Sequence, residues 1–276
     1  MKTLYMTDLD GTLLTPDQAL STRTVGILNA LADAGCLFSI CTARSLIGIK
    51  LLDLQGVRFT APMVLMNGAM TYDAIHERVA DALEMSPAVA KTVLEIAARH
   101  GKSPMVYRVE NGGVTCTYTH PTSPGEESFM RQRLARLPEL FWQVNEHDST
   151  REAVYFSMQD RRETLTAIRA EVEAQIPEVR CSIYRDNYVQ GNFFLEIFDR
   201  RAGKDNGALR VKRAVGADRL VAFGDNDNDL PMLRVADLAC VVENGVESAK
   251  RAADVIVGAN DADGVALYLQ ADWEGR

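Results

Sequence analysis

Several features that would settle a function at once are missing from this chain. It has no run of roughly eighteen apolar residues, so no membrane-spanning helix is expected. It has no block of five or more basic residues, and its formal net charge is −8, which disfavours nonspecific binding to nucleic acid or to an anionic membrane. Its five cysteines, Cys36, Cys41, Cys116, Cys181 and Cys240, include no Cys-x-x-Cys pair. That argues against structural zinc and a disulfide framework, and for reduced thiols. The four histidines, His76, His100, His120 and His147, lack ligand spacing and are expected at the surface. No charged-then-apolar leader precedes the first apolar run, and there is no internal repeat or low-complexity segment. A soluble, cytoplasmic protein is the expectation.

What is present is a globular composition. With 276 residues, 47% hydrophobic and 25% charged, the chain can bury a substantial core as one large domain or two smaller ones. Leu4, Tyr5 and Met6 read as a buried strand that ends in Thr7-Asp8-Leu9-Asp10-Gly11-Thr12-Leu13-Leu14. Ligands of open α/β sheets gather beyond the carboxyl ends of the strands, so a carboxylate pair there indicates chemistry or metal binding. The Leu9 backbone lies between the two acids with its N–H available to an anion, and Gly11 lets the chain turn sharply. Attack by Asp8 on phosphorus, with Asp10 moving the proton, needs one ionised and one protonated carboxyl group. Adjacent like charges hold those states apart. For an isolated Asp-x-Asp, a plain turn is the simpler alternative. A calcium loop fails, because position six counted from Asp8 is Leu13 where glycine is required and position twelve is Ala19 where glutamate is required.

Along the chain, Val25, Leu28, Leu31 and Ala32 predict a helix from about Ser21 or Thr22, stopped at Gly35. A strand at Leu37-Phe38-Ser39-Ile40-Cys41 ends in Thr42-Ala43-Arg44-Ser45, a helix follows over 45–54, and a third strand at Met63-Val64-Leu65-Met66 ends at Asn67-Gly68. This β-α-β alternation predicts a doubly wound parallel, Rossmann-like α/β sheet. From about residue 85 the pattern changes. Helices over 88–99, 126–137 and 163–175 alternate with strands near 105–109, 113–118, 154–158 and 193–197, and residues 120–125 read as a loop. More alternation and more charge predict an inserted α+β domain whose antiparallel sheet has one exposed face. The first pattern resumes with a helix near Lys204, strands at 220–223, 238–242 and 254–257, and helices at 230–235 and 247–253. The expected division is core 1–84, insert 85–198 and core 199–276.

Polar clusters collect at the ends of these strands. Gly224-Asp225-Asn226-Asp227-Asn228-Asp229 again fails as a calcium loop, with Leu230 and Ala236 at positions six and twelve, though Asn228 or Asp229 could simply cap the next helix. Asp225 with Asp8 and Asp10 makes an all-oxygen site that points to magnesium. Thr42 alone would be an ordinary strand-end hydroxyl. Lys204 at a helix start sits against the positive end of the dipole, and a phosphate there would give it a reason. Met63, Met66 and Met70 are assigned to packing.

In order, Asp8-Leu9-Asp10-Gly11-Thr12-Leu13-Leu14, Thr42-Ala43-Arg44, Asn67-Gly68-Ala69, Lys204 and the Gly224–Asp229 cluster resemble the signature elements of haloacid dehalogenase (HAD) superfamily phosphatases. The match is nearest to the Cof-type branch, which carries a type IIB cap between the third strand and the lysine. The resemblance implies a phosphatase with Asp8 as nucleophile, forming an aspartyl-phosphate, and Asp10 as general acid and base. It implies Mg2+ held by the Asp8 carboxylate, the Asp10 backbone carbonyl and Asp225, with Asp229 supporting the metal shell or Lys204. Phosphoryl oxygens would meet the Leu9 and Ala43 backbone, Thr42, Lys204 and Asn228, while Arg44, Asn192 and Glu196 would face the leaving group, with a structural role for Asn192 and Glu196 as the equal alternative. Two departures stand out: Ala43 where the family often has glycine, and Asp205-Asn206 between Lys204 and Gly207. The implied partner is a small phosphorylated metabolite, foremost a sugar phosphate, handled by a monomer or homodimer. A phosphomutase, a non-catalytic phospho-ligand-binding protein and a receiver-type phosphoacceptor are the alternatives. The complete set Asp8, Asp10, Lys204 and Asp225 argues against lost catalysis.

Overall fold

The structure, a computed structural model, describes every residue except 53, 55, 187, 188 and 276. The chain divides into two compact units, Met1–Asp81 together with Gly203–Arg276, and Ala82–Ala202. The first unit begins with β1 (Thr3–Thr7), whose residues are all buried. α1 (Thr22–Asp33) starts where the Ser21 side chain accepts the Thr24 N–H and stops before Gly35 at φ +81°. β2 (Leu37–Ile40) follows, then α2 (Leu46–Lys50), capped by Ser45. This helix is shorter than the span 45–54 expected, of which residue 53 lies outside the described residues.

The third strand departs from expectation. β3 (Met63–Leu65) pairs antiparallel with β4 (Met70–Asp73), and β5 (Arg78–Ala82) completes a separate three-stranded sheet. β3 meets the end of β2 through a parallel bridge between Cys41 and Val64. The cause is local: Met66, Asn67 and Gly68 have φ of 53°, 54° and 86°, a left-handed run that folds the chain back on itself.

The second unit contains α3 (Pro87–Arg99), β6 (Met105–Glu110), β7 (Gly113–Tyr118), α4 (Pro124–Leu134), β8 (Phe141–Gln143), β9 (Tyr155–Asp160), α5 (Arg162–Gln175), β10 (Val179–Arg185) and β11 (Phe193–Asp199). Its sheet runs β10-β11-β9-β6-β7-β8, antiparallel except for the β7–β8 pair. Val93 and Ile96 of α3 and Leu165, Ile168 and Val172 of α5 pack with Val106, Phe156, Leu195 and Ile197 from one face of that sheet. The other face is not open as expected. Tyr107, Tyr155 and Phe198 are buried there, with Tyr155 stacked on Phe198 at 5.3 Å between ring centres.

The chain returns to the first unit with α6 (Lys204–Ala214), β12 (Arg219–Gly224), α7 (Leu230–Val235), β13 (Leu238–Val242), α8 (Glu247–Lys250), β14 (Val255–Val257) and α9 (Gly264–Glu274). The main sheet has the order β14-β13-β12-β1-β2 and is parallel throughout. β1, β12 and β13 are buried almost without interruption, as expected of a sheet covered on both faces, and their successive side chains enter opposite layers. Leu4 and Met6 join Ala208, Val211, Met232, Leu233 and Ala249 from α6, α7 and α8. On the opposite face the Tyr5 hydroxyl donates to Asp272 of α9 at 2.6 Å, and α9 packs on α1. The fold is therefore a doubly wound α/β core with a separate α+β unit between its two segments. All five cysteines are unbridged and buried. No described helix is long and apolar enough to cross a membrane.

Candidate active site

The winding starts at β1, moves out to β2, and resumes at β12 on the other side of β1, so the direction changes between β1 and β12. Such a switch point leaves a crevice at the carboxyl ends of the strands. Thr7 lies opposite Phe223, and the Asp8 N–H donates to the Phe223 carbonyl at 2.9 Å. Asp8 and Asp225 therefore leave neighbouring strands at the same end.

The loop after β1 is tied down on both sides. The Leu9 carbonyl accepts the N–H groups of Thr12, Leu13 and Leu14 at 3.3, 3.0 and 2.9 Å. Thr12 Oγ1 donates to Asp225 Oδ1 at 2.7 Å. A Cβ at Gly11, which has φ +82°, would stand 2.6 Å from Asp225 Oδ2, so glycine is required for both conformation and space. Asn244 Nδ2 donates to the Gly11 carbonyl at 2.8 Å, Asn260 Nδ2 donates to the Leu14 carbonyl at 2.6 Å, and Asn244 Oδ1 accepts the Asn260 N–H at 2.9 Å. Sequence reasoning missed both asparagines as clamps, although Asn244 lies in a polar cluster at a strand end.

Lys204 opens α6, and its buried Nζ donates to Asp8 Oδ1 and to Asp229 Oδ1, each at 2.6 Å. The other oxygen of Asp229 accepts the N–H groups of Asp225 and Asn226, each at 3.0 Å. The left-handed turn after β3 is what admits the lysine. A Cβ at Gly68, φ +86°, would collide with the Gly203 carbonyl immediately before Lys204. Gly207 likewise packs against Val64, so the glycine displaced from the position next to the lysine still serves close packing one turn later.

Carboxylate oxygens of Asp8, Asp225 and Asp229 all lie within 4.8 Å of one another, with one ammonium among them. When all three are ionised, two negative charges remain unbalanced. Burial, against the pull of Lys204 and reinforced by Asp229 and Asp225, raises the Asp8 pKa to about 8. Burial raises Asp225 to about 6, opposed by the Thr12 hydrogen bond and aided by Asp229. For Lys204, burial works against the charge, but Asp229 and Asp8 outweigh it and hold the ammonium above its ordinary pKa. This pocket suits a divalent cation: an all-oxygen donor set with charge left to balance.

Asp10 sits apart from that cluster. Its carboxylate, 48% exposed, accepts from Arg44 Nε at 2.7 Å and from Arg44 Nη2 at 2.6 Å. Gln18 Oε1 accepts from the same Nη2 at 2.9 Å, a partner with no local signal in the sequence. Thr42 is buried, with Oγ1 accepting the Arg44 N–H at 3.2 Å. Ala43 is half-buried and Asn228 is exposed. In the second unit, Asn192 Nδ2 donates to Gln159 Oε1 and Asp186 Oδ2 at 2.8 and 2.9 Å, and the Tyr184 hydroxyl donates to Glu196 Oε1 at 2.5 Å. Met63, Met66 and Met70 are buried, as packing requires. His147 corrects the surface expectation. It is buried beside Ser103 and Thr117, and burial together with Arg108 draws its pKa down to about 4.

Acidic strand ends and a buried lysine, gathered at the switch point of a doubly wound sheet, define an α/β enzyme class that handles phosphoryl groups. The model of the haloacid dehalogenase-like hydrolase family matches residues 5–269, and the chain belongs to that family, in its Cof-type branch of HAD phosphatases. It is 26% identical over 280 residues to the pyridoxal phosphate phosphatase YbhA of Escherichia coli (strain K12), covering 95% of each chain. It is 24% identical over 272 residues to the 5-amino-6-(5-phospho-D-ribitylamino)uracil phosphatase YitU of Bacillus subtilis (strain 168), covering 97% of this chain and 96% of that one. Its fold matches a haloacid dehalogenase-like hydrolase from Bacteroides thetaiotaomicron at a TM-score of 0.77 and 21% identity, covering 99% and 100% of the two chains. It also matches the HAD subclass IIB sugar phosphatase BT4131 at a TM-score of 0.69 and 21% identity, covering 99% of each.

Proposed function

We propose that this protein is a magnesium-dependent phosphatase that hydrolyses phosphomonoesters of small metabolites, foremost sugar phosphates, through an aspartyl-phosphate on Asp8. The observation that carries this reading is the buried set at the β1–β12 crevice: Asp8, Asp225 and Asp229 around the Lys204 ammonium. The pocket's oxygen donors and uncompensated charge fit a hard divalent ion, which the carboxylates of Asp8 and Asp225 would hold, with the Asp10 backbone carbonyl as the third ligand that the family resemblance implies. Bound there, magnesium supplies positive charge against the repulsion between an anionic nucleophile and an anionic phosphate.

The chain's own groups divide the remaining work. Asp8 attacks phosphorus, and the P–O bond to the leaving alcohol breaks as Asp10 gives that oxygen a proton. Asp10 then takes a proton from water, which attacks the phosphorus of the aspartyl-phosphate and returns Asp8 as a carboxylate. Lys204, fixed by Asp229, places its charge beside Asp8 and the phosphoryl oxygens, which also meet the Leu9 and Ala43 N–H groups, Thr42 Oγ1 and Asn228. The named phosphatases YbhA and YitU, which act on small phosphorylated metabolites, support this substrate class. A cytoplasmic setting fits the five unbridged thiols.

The test is a phosphate-release screen over phosphorylated sugars, nucleotides and cofactors, with and without magnesium, for the natural chain and for Asp8→Asn. Magnesium-dependent release that Asp8→Asn abolishes while remaining folded is expected. Full turnover by Asp8→Asn would overturn the reading, and isomerised sugar phosphate without phosphate release would replace it with a phosphomutase.

A further inference from the structure

Asp10, the proposed proton carrier, has a carboxylate that is gripped. The Arg44 fork occupies both of its oxygens, and a planar bidentate pair fixes the plane of the carboxylate as well as its position. The guanidinium is itself held from behind, because Nη2 donates to Gln18 Oε1 as well as to Asp10 Oδ1. Arg44 is also anchored at its backbone. Its N–H donates to Thr42 Oγ1 at 3.2 Å, and its carbonyl accepts the Met66 N–H at 3.0 Å.

Gln18 is held at some cost. Its φ is +58°, a backbone state that disfavours side-chain-bearing residues. It sits in a tight loop where the Thr15 N–H donates to the Ala19 carbonyl at 3.0 Å and the Gln18 N–H donates to the Thr15 carbonyl at 2.9 Å. A half-exposed ion pair such as Asp10–Arg44 contributes little stability. Bracing it with a residue in the left-handed region has its use in placement.

We propose that Gln18 is a positioning residue for the phosphatase reaction: through Arg44 it fixes the place and plane of the Asp10 carboxyl group for proton transfer with the leaving oxygen. This rests on the phosphatase reading above. Without the brace, the Arg44 fork can swing and Asp10 turns with it, away from the leaving oxygen.

Leaving groups separate this role from a general structural one. An alkoxide leaves poorly without a proton, whereas p-nitrophenolate leaves without one. Turnover of an alkyl phosphate and of p-nitrophenyl phosphate is measured for Gln18→Ala, for Gln18→Glu, which keeps an acceptor facing Nη2, and for Gln18→Ala combined with Asp10→Asn. Because Asp10 also serves hydrolysis of the aspartyl-phosphate, which both esters share, the esters are compared by kcat/KM, which reports only the steps up to that intermediate. For Gln18→Ala it is expected to fall about tenfold on the alkyl ester and to stay within about twofold on p-nitrophenyl phosphate. Gln18→Glu restores most of the loss, and Gln18→Ala adds nothing in the Asp10→Asn background. Equal losses of kcat/KM on both esters, or a full further loss in the Asp10→Asn background, would overturn the role while leaving the phosphatase reading intact. Unchanged turnover in Asp8→Asn and Asp10→Asn would remove that reading, and the role of Gln18 with it.

Discussion

Lys204→Met keeps the length of the side chain and removes its charge from between Asp8 and Asp229, each bonded to it at 2.6 Å. The two acids are 5% and 0% exposed, so neither can turn to water. Without the ammonium, the pair must retain one more proton than it does beside the lysine. An aspartate ordinarily ionises at 3.8. Keeping one neutral costs about 1.4 kcal/mol per pH unit above that value, or about 4 kcal/mol near pH 7. The figure falls within the about 3–5 kcal/mol expected when one partner of a buried ion pair is removed. Between about pH 4 and 7 the folded variant binds one proton more than the folded natural protein, while the two unfolded chains bind alike. Its deficit therefore widens as pH rises and closes near pH 4. Urea unfolding of both proteins in EDTA, at several pH values across that window, measures it directly. A deficit below about 1 kcal/mol near pH 7, or one that stays constant with pH, would refute the claim that Lys204 balances buried charge.

Three further outcomes follow from the structure. Gly68→Ala adds a Cβ that collides with the Gly203 carbonyl at a position with φ +86°, and should cost about 2–4 kcal/mol in urea unfolding. Gly26→Ala, in the middle of α1 with open space around it, should instead gain about 0.5–1 kcal/mol. In EDTA, Asp8 and Asp225, raised to about 8 and about 6, keep protons that the unfolded chain has already released. Their contribution to stability is therefore present below about pH 4 and is lost as pH rises to about 8. Melting curves with EDTA should show this decline relative to curves in excess magnesium, and parallel pH profiles in the two conditions would contradict it.

The parallel core was legible because apolar runs, polar strand ends and helical spacing agreed at every step. β1, β2, β12 and β13 and the helices α1 and α7 lie where the pattern places them. What local pattern could not supply was pairing. Asn67-Gly68 reads as the end of a strand, yet its left-handed backbone folds β3 onto β4, and β5 is too exposed and charged to read as a strand. β8 has only three residues, too few to show a pattern, whereas β10 does alternate, with Val179, Cys181 and Ile183 turned to the core and Arg180 exposed, a signal that sequence reasoning passed over. α9 has no side-chain cap and starts from Asp263 at φ +57°, which removes the usual signal of a helix start. At the site, the acids and Lys204 were visible as residues at strand and helix ends. Arg44 turning onto Asp10, Gln18 behind it and the Asn244–Asn260 clamp depend on side-chain directions across distant segments. No single stretch of sequence encodes them.

The thiols set aside at the outset acquire a use from their placement. Burial pushes Cys181 and Cys240 up to about 12, and Cys41 and Cys116 also lie well above the usual thiol range. The thiolate is the form that attacks alkylating reagents, so the intact fold withholds all of these sulfurs from them. Cys36, Cys41 and Cys240 belong to one compact unit and Cys116 and Cys181 to the other. The chain thus carries native reporters of local opening: pulsed alkylation and peptide mapping would time when each unit loosens, with no engineered label.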